Sequence, residues 1–184
     1  MALKRLAIDG NGQIELNQVA FRRDGRIEAQ CALGDDFKET AAENGMLLAV
    51  DNVNRVVKMP VEGEVYPIAL NYTTEHMYDE RTPALKNFKL EQGSFYPRLG
   101  YLAVGDKFTT NCLCAEETEY ADIDAVKAAY TEGTTLYGGV SELGAIKVSA
   151  TKPAYGPVLL AVYGTGAGSM PDGQFGMKFQ VVAV

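Results

Sequence analysis

Tryptophan is missing from this chain, histidine occurs once, and cysteine occurs three times in 184 residues. A single histidine, His76, leaves no second imidazole for a histidine-based zinc set or a relay. The cysteines at 31, 112 and 114 are odd in number and offer no zinc or dithiol spacing. They are expected to be small buried hydrophobes in a reducing compartment. Without tryptophan, the best sugar-stacking platform is also missing. No apolar run approaches the ~18 residues that span a bilayer, so no membrane segment is expected. The opening MALKRLAIDGNG is broken by Lys4, Arg5 and Asp9 and does not read as a signal peptide.

Positive charge is also scarce. Lys and Arg total 17 against 24 Asp and Glu, for a net charge of -7. The deficit is even along the chain, -4 over residues 1–92 and -3 over 93–184, with no basic tail. The densest basic cluster, Arg22, Arg23 and Arg26, is interrupted by Asp24-Gly25 and reads as a hairpin tip. A phosphate-binding face needs clustered cations, so no nucleic-acid partner is expected. Apolar residues at 47% are enough to fill a core and exclude wholesale disorder.

What remains is a succession of short β-rich runs punctuated by Gly-containing turns. QIELNQVAF (13–21) and 27–33 read as a hairpin around Asp24-Gly25. MLLAV (46–50) and RVVKM (55–59) read as strands joined by DNVN. Val65–Thr74 carries Pro67 and is expected at an edge or the start of a sheet. FYPRLGYLAV (95–104) and DKFTTNCLCA (106–115) read as a hairpin across Gly105-Asp106. Cys112 and Cys114, two apart on a strand, share a face. One helix is expected near 121–130, with Asp122 at its N-terminus and Gly133 stopping it. Its apolar stripe, Ile123, Val126 and Tyr130, suits it to plug a sheet or barrel. The closing QFGMKFQVVAV alternates Phe175, Met177, Phe179 and Val181 on one face and reads as a paired strand. The fold class is therefore mainly β: a barrel or sandwich of short antiparallel strands with one short helix. It is expected as a single domain over 1–184, with an N-terminal arm (1–12), an extended polar loop (75–94) and a weak seam near 116–119. A brief helical turn is expected around Ala84–Phe88.

Constellations that carry chemistry are sparse. VLLAVYGTGAGS resembles a phosphate-cradling turn, but Met170-Pro171-Asp172-Gly173 and a β pattern follow where a helix is required. A hairpin loop is the expectation. No serine lies in a nucleophile elbow. Asp35-Asp36, Glu116-Glu117 and Asp122 with Asp124 are adjacent or near-adjacent acids of the kind usually solvated, and no EF-hand loop is present. No catalytic residue, cofactor or metal is assigned. The long polar stretch 75–94, with His76 beside Met77 and Tyr78, is the segment most suited to contacts, since long ordered loops usually have a use.

GDKFTTN (105–111), YADIDAVKAAY, LYGGVS and the closing MPDGQFGMKFQVV resemble segments of small structural proteins of tailed bacteriophages, typically head decoration (cement) proteins. The resemblance covers roughly residues 100–184; residues 1–99 match only in style. It implies a β-rich homo-oligomer, a dimer or a trimer, that binds the major capsid protein on the outside of the head. It also implies residence in the host cytoplasm before assembly and no enzymatic step. The residues expected at the protein interface are Leu3, Lys4, Arg5, His76, Met77, Tyr78, Arg81 and Phe88, in Ala2–Asp9 and in the polar loop. The alternatives are another virion part, such as a tail tube or tail-tip protein, or a carbohydrate- or ligand-binding module built on scattered acids.

Overall fold

The computed structural model describes residues 2–15, 19–20, 27–73, 84–162 and 170–184. The elements in chain order are β1 (Leu3–Arg5), β2 (Ile27–Glu28), β3 (Ala32–Leu33), β4 (Leu47–Asp51), β5 (Val56–Lys58) and β6 (Ile68–Asn71). After them come α1 (Ala84–Asn87), β7 (Leu99–Tyr101), β8 (Lys107–Thr110), β9 (Leu113–Glu116) and α2 (Ile123–Glu132). The chain closes with β10 (Tyr137–Gly139), β11 (Ile146–Ser149), β12 (Val158–Ala161) and β13 (Met177–Ala183). The mainly β expectation holds. Seven strands form one sheet in the order β1-β9-β11-β10-β12-β13-β8, and six form a second in the order β2-β7-β6-β4-β5-β3.

Connectivity forces both sheets to curl. In the first, β8 and β9 are separated by five strand spacings, about 24 Å if flat. Only Asn111 and Cys112 join them in sequence, a reach of at most ~11 Å. The sheet accordingly bends into a half-barrel. In the second sheet β2 and β3 lie at opposite edges, yet only residues 29–31 connect them. Their Cα atoms can be no more than ~15 Å apart, where a flat sheet would demand ~24 Å.

The two sheets share their cores. Phe108, Phe179, Leu159, Ile146 and Val148 line the inside of the half-barrel with Leu47 and Leu70 of the second sheet. The opposite faces of β4 and β6 present Leu48, Val50 and Ala69 to Leu33, Val57, Leu99, Cys112 and Cys114. All five residues of β4 are therefore buried, which explains why MLLAV runs apolar without alternating. Strands on both sides of 116–119 belong to the half-barrel, so the expected seam is not a boundary.

Helix α2 caps this core as its sequence implies. The Asp122 carboxylate accepts the Ala125 N–H at 2.9 Å, and Gly133 ends the helix at φ 88°. Val126 and Tyr130 are buried, and the Tyr130 hydroxyl donates to the Val162 carbonyl at 2.8 Å. The Tyr130 ring meets Phe175 edge-on at 5.8 Å. In β13, Met177, Phe179 and Val181 point inward, the expected alternation.

Three pairings differ from expectation. The segments before and after Gly105-Asp106 are not a hairpin: β7 pairs with β6 and β2, whereas β8 pairs with β13. The turn hands the chain between sheets, because Asp106 accepts the Ala103 N–H and Gly105 donates to Val181. Among the described residues, the 13–21 segment does not pair with 27–33 either. Ile14 and Ala20 bridge to Thr110 and Lys107, and β2 goes to β7. Finally, β6 is interior, between β7 and β4. Pro67 is tolerated because it precedes the strand and contributes only its carbonyl, which accepts from Val50.

Candidate protein-interaction site

Within the N-terminal stretch, Leu3–Arg5 form a sheet strand. β1 pairs antiparallel with β9, Lys4 opposite Ala115. Leu3 is half-buried against the second core, and Lys4 reaches Glu117 at 3.6 Å on the surface. Arg5 places its guanidinium 2.6 Å from the Glu43 carboxylate, which also accepts the Gly12 N–H. Its pKa is raised: burial lowers it, and the surrounding Cys112, Glu43 and Cys114 outweigh that effect. Phe88 is buried in the second core at 8% exposure. Phe88 thus fills an interior site, whereas Arg5 is half-buried, its guanidinium held by the Glu43 carboxylate. His76, Met77, Tyr78 and Arg81 lie outside the described residues.

The structure does bring the two expected contact stretches together. Lys86 of α1, the expected helical turn, forms an ion pair with Asp9, and its carbonyl accepts the Asn11 N–H at 2.6 Å. The polar loop therefore returns to the body of the protein against the N-terminal segment.

Its departure point carries the feature that sequence reasoning missed. Phe95 and Tyr96 are 73% and 56% exposed, the only large aromatics so open among the described residues. Hydrogen bonds hold the backbone on both sides of them. Upstream, Ser94 closes a turn onto the Glu91 carbonyl, with Gly93 at φ 82°. Downstream, the Arg98 carbonyl accepts from Tyr72 at 3.0 Å, and the Arg98 N–H donates to the Thr73 hydroxyl at 2.9 Å. Thr73 in turn donates to Asn71, whose amide reaches the Glu43 carbonyl. Phe95 and Tyr96 thus lie between a turn closed at Ser94 and a backbone pinned at Arg98. The available signal was two adjacent aromatics between a Gly-Ser turn and a proline, a pattern that a strand reading absorbed.

The polar groups elsewhere serve the scaffold. Burial pushes the Cys31 and Cys114 thiols up to about 11 and Cys112 to about 12, so all three stay protonated and weakly nucleophilic at neutral pH. Cys114 contacts Ser141 and the Ala145 carbonyl at 3.4 Å. Asp51 is held far below the usual carboxylate range by Asn54, which donates through its side chain and backbone, and by Lys58 at 2.9 Å. Among the described residues, no group of three or more His, Cys, Asp or Glu stands where it could hold a metal ion. No described helix is long and apolar enough to cross a membrane. No family model, characterised protein or solved structure matches the chain.

Proposed function

We propose that this chain is a virion structural protein of a tailed bacteriophage: a decoration, or cement, protein that binds the outer face of the major capsid protein lattice and stabilises the head. The observation that carries this reading is the adjacent, solvent-facing pair Phe95 and Tyr96 between two hydrogen-bonded anchor points. Exposed aromatic residues are the anchors that most often dominate protein–protein binding, since they bury large area with few rotatable bonds. The resemblance of residues 100–184 to phage structural proteins gives the partner its identity. Net acidity keeps free copies soluble, and repetition on a lattice turns modest contacts into avidity. In this reading the protein works by adhesion, transforms no substrate, and passes from the host cytoplasm to the capsid exterior.

The test is cosedimentation with empty shells of the major capsid protein from the same genome, in expanded and unexpanded forms. The wild-type chain pellets with at least one form, saturably. Phe95→Ala with Tyr96→Ala weakens binding by about 30-fold or more, the loss of ~2 kcal/mol at a hot spot. A wild-type chain that stays in the supernatant with both shells overturns the reading.

A further inference from the structure

Two other surfaces of the molecule are matched to each other. The first is the turn between β5 and β6. Val61 and Val65 are 60% and 88% exposed and flank Glu62-Gly63-Glu64. The turn is pre-set: Glu64 donates its N–H to the Val61 carbonyl at 3.1 Å, and Gly63 takes φ 72°. The Glu64 carboxylate accepts the N–H groups of Val65 and Tyr66 at 2.9 and 3.0 Å. Glu62 has no ion-pair partner among the described residues. This is an acidic, apolar knob.

The second is the outward face of the half-barrel at β12 and β13. Leu159, Phe179 and Val181 point into the core, so alternation turns Leu160, Val162, Lys178, Gln180 and Val182 outward. Register makes them one patch. Leu160 stands opposite Gln180, Val162 donates to the Lys178 carbonyl, and Lys107 of β8 stands on the far side of Gln180. Leu160 and Val162 are half-buried and Val182 is 38% exposed, yet none of the three belongs to either core. Lys107 and Lys178 have no ion-pair partner among the described residues. In a chain of net charge -7, this is an apolar face flanked by two available cations.

We propose that copies of this chain join head to tail, the Val61–Val65 knob of one copy seating on the Leu160, Val162 and Val182 face of the next, with Glu62 and Glu64 toward Lys107 and Lys178. Charge decides against either surface pairing with itself: face on face would set lysine against lysine, and knob on knob would set carboxylate against carboxylate. The heterologous contact satisfies both surfaces at once. Each surface offers only a few apolar side chains, fewer than a standard stable pair buries, so a closed ring, in which every copy makes the contact twice, is the favoured form. This deepens the lattice-binding reading by naming how copies join, and rests on that reading for its biological use.

The test is sedimentation velocity of the full chain without shells, from about 1 to 200 μM. The wild-type chain self-associates, more weakly at high salt. Lys107→Glu with Lys178→Glu weakens association about tenfold or more, and so does Glu62→Lys; all three together recover much of it. Val182→Asp abolishes association with little change in the melting temperature, since the residue lies outside both cores. A chain that is monomeric across this range, or an oligomer indifferent to these substitutions, overturns the proposal. Shell binding is read separately, so a ring that fails to bind shells would overturn the lattice reading and leave this contact standing.

Discussion

The half-barrel and the smaller six-stranded sheet solve the same closure problem with different chemistry. The half-barrel is filled from within: Phe108 and Phe179 meet at 6.1 Å between ring centroids, and α2 lays Val126 and Tyr130 over the opening. The smaller sheet is pinned at its rim by polar groups. Buried Asp51 ties the β4–β5 turn through Asn54 and Lys58, and Lys58 lies 4.7 Å from the centre of the Tyr66 ring. Asn52 on the same turn donates to the Tyr101 hydroxyl at 3.0 Å, linking β7 to the β4–β5 turn past β6. Arg55 sits at φ 57°, an uncommon conformation for a side chain of its size, and reaches the Gln30 carbonyl. Apolar filling is indifferent to pH, whereas a rim held by a carboxylate is not. The contact features also divide: the patch with Lys107 and Lys178 lies on the half-barrel, and the Phe95–Tyr96 pair and the acidic knob lie on the connections of the smaller sheet.

The largest expected effect tests the apolar side of that contrast. Phe179→Ala removes a fully buried ring from the half-barrel and costs about 3–5 kcal/mol, read as a lower urea midpoint. Its cost is the same at pH 7 and pH 5. The polar side is tested by acid. The Asp51 pKa is lowered on folding, so its contribution is complete above the unfolded value of ~3.9 and is lost as pH falls through that value toward the folded one. Wild-type stability therefore drops between about pH 5 and pH 2, and Asp51→Asn, less stable at pH 7, shows a flatter profile in urea titrations across that window.

A third substitution probes the join between the sheets. Gly45 takes φ 85°, and a Cβ there would lie 2.0 Å from the Thr110 hydroxyl oxygen. Gly45→Ala is expected to cost more than about 1 kcal/mol in thermal melts. The smallest effect is at the helix cap: Asp122→Ala loses about 1 kcal/mol, with faster amide exchange confined to the first turn of α2.

Local chemistry was legible in the sequence, and pairing was not. Asp122 and Gly133 bound α2 because a cap and a left-handed stop act within a few residues. β13 showed its inward face through strict alternation, and the cysteines are buried as expected. Partners failed where a turn was read as a hairpin. Gly105-Asp106 is a good turn whichever strand follows it, and the long-range pairing with β13, begun by the bond from Gly105 to Val181, places β8 in the other sheet. Pro67 signalled a strand start correctly, but nothing within ten residues shows that β6 lies between β4 and β7. Of the expected contact residues, Phe88 joins the second core although its neighbours in sequence are polar, and Arg5 is half-buried by Glu43, 38 residues away.

The most direct measurement is a cryo-electron microscopy reconstruction of empty shells saturated with the wild-type chain. The account predicts ordered density for the chain at symmetry-related positions on the outer surface, with Phe95 and Tyr96 buried against the capsid protein. Shells that stay bare, or a bound chain whose Phe95 and Tyr96 face solvent, would contradict it.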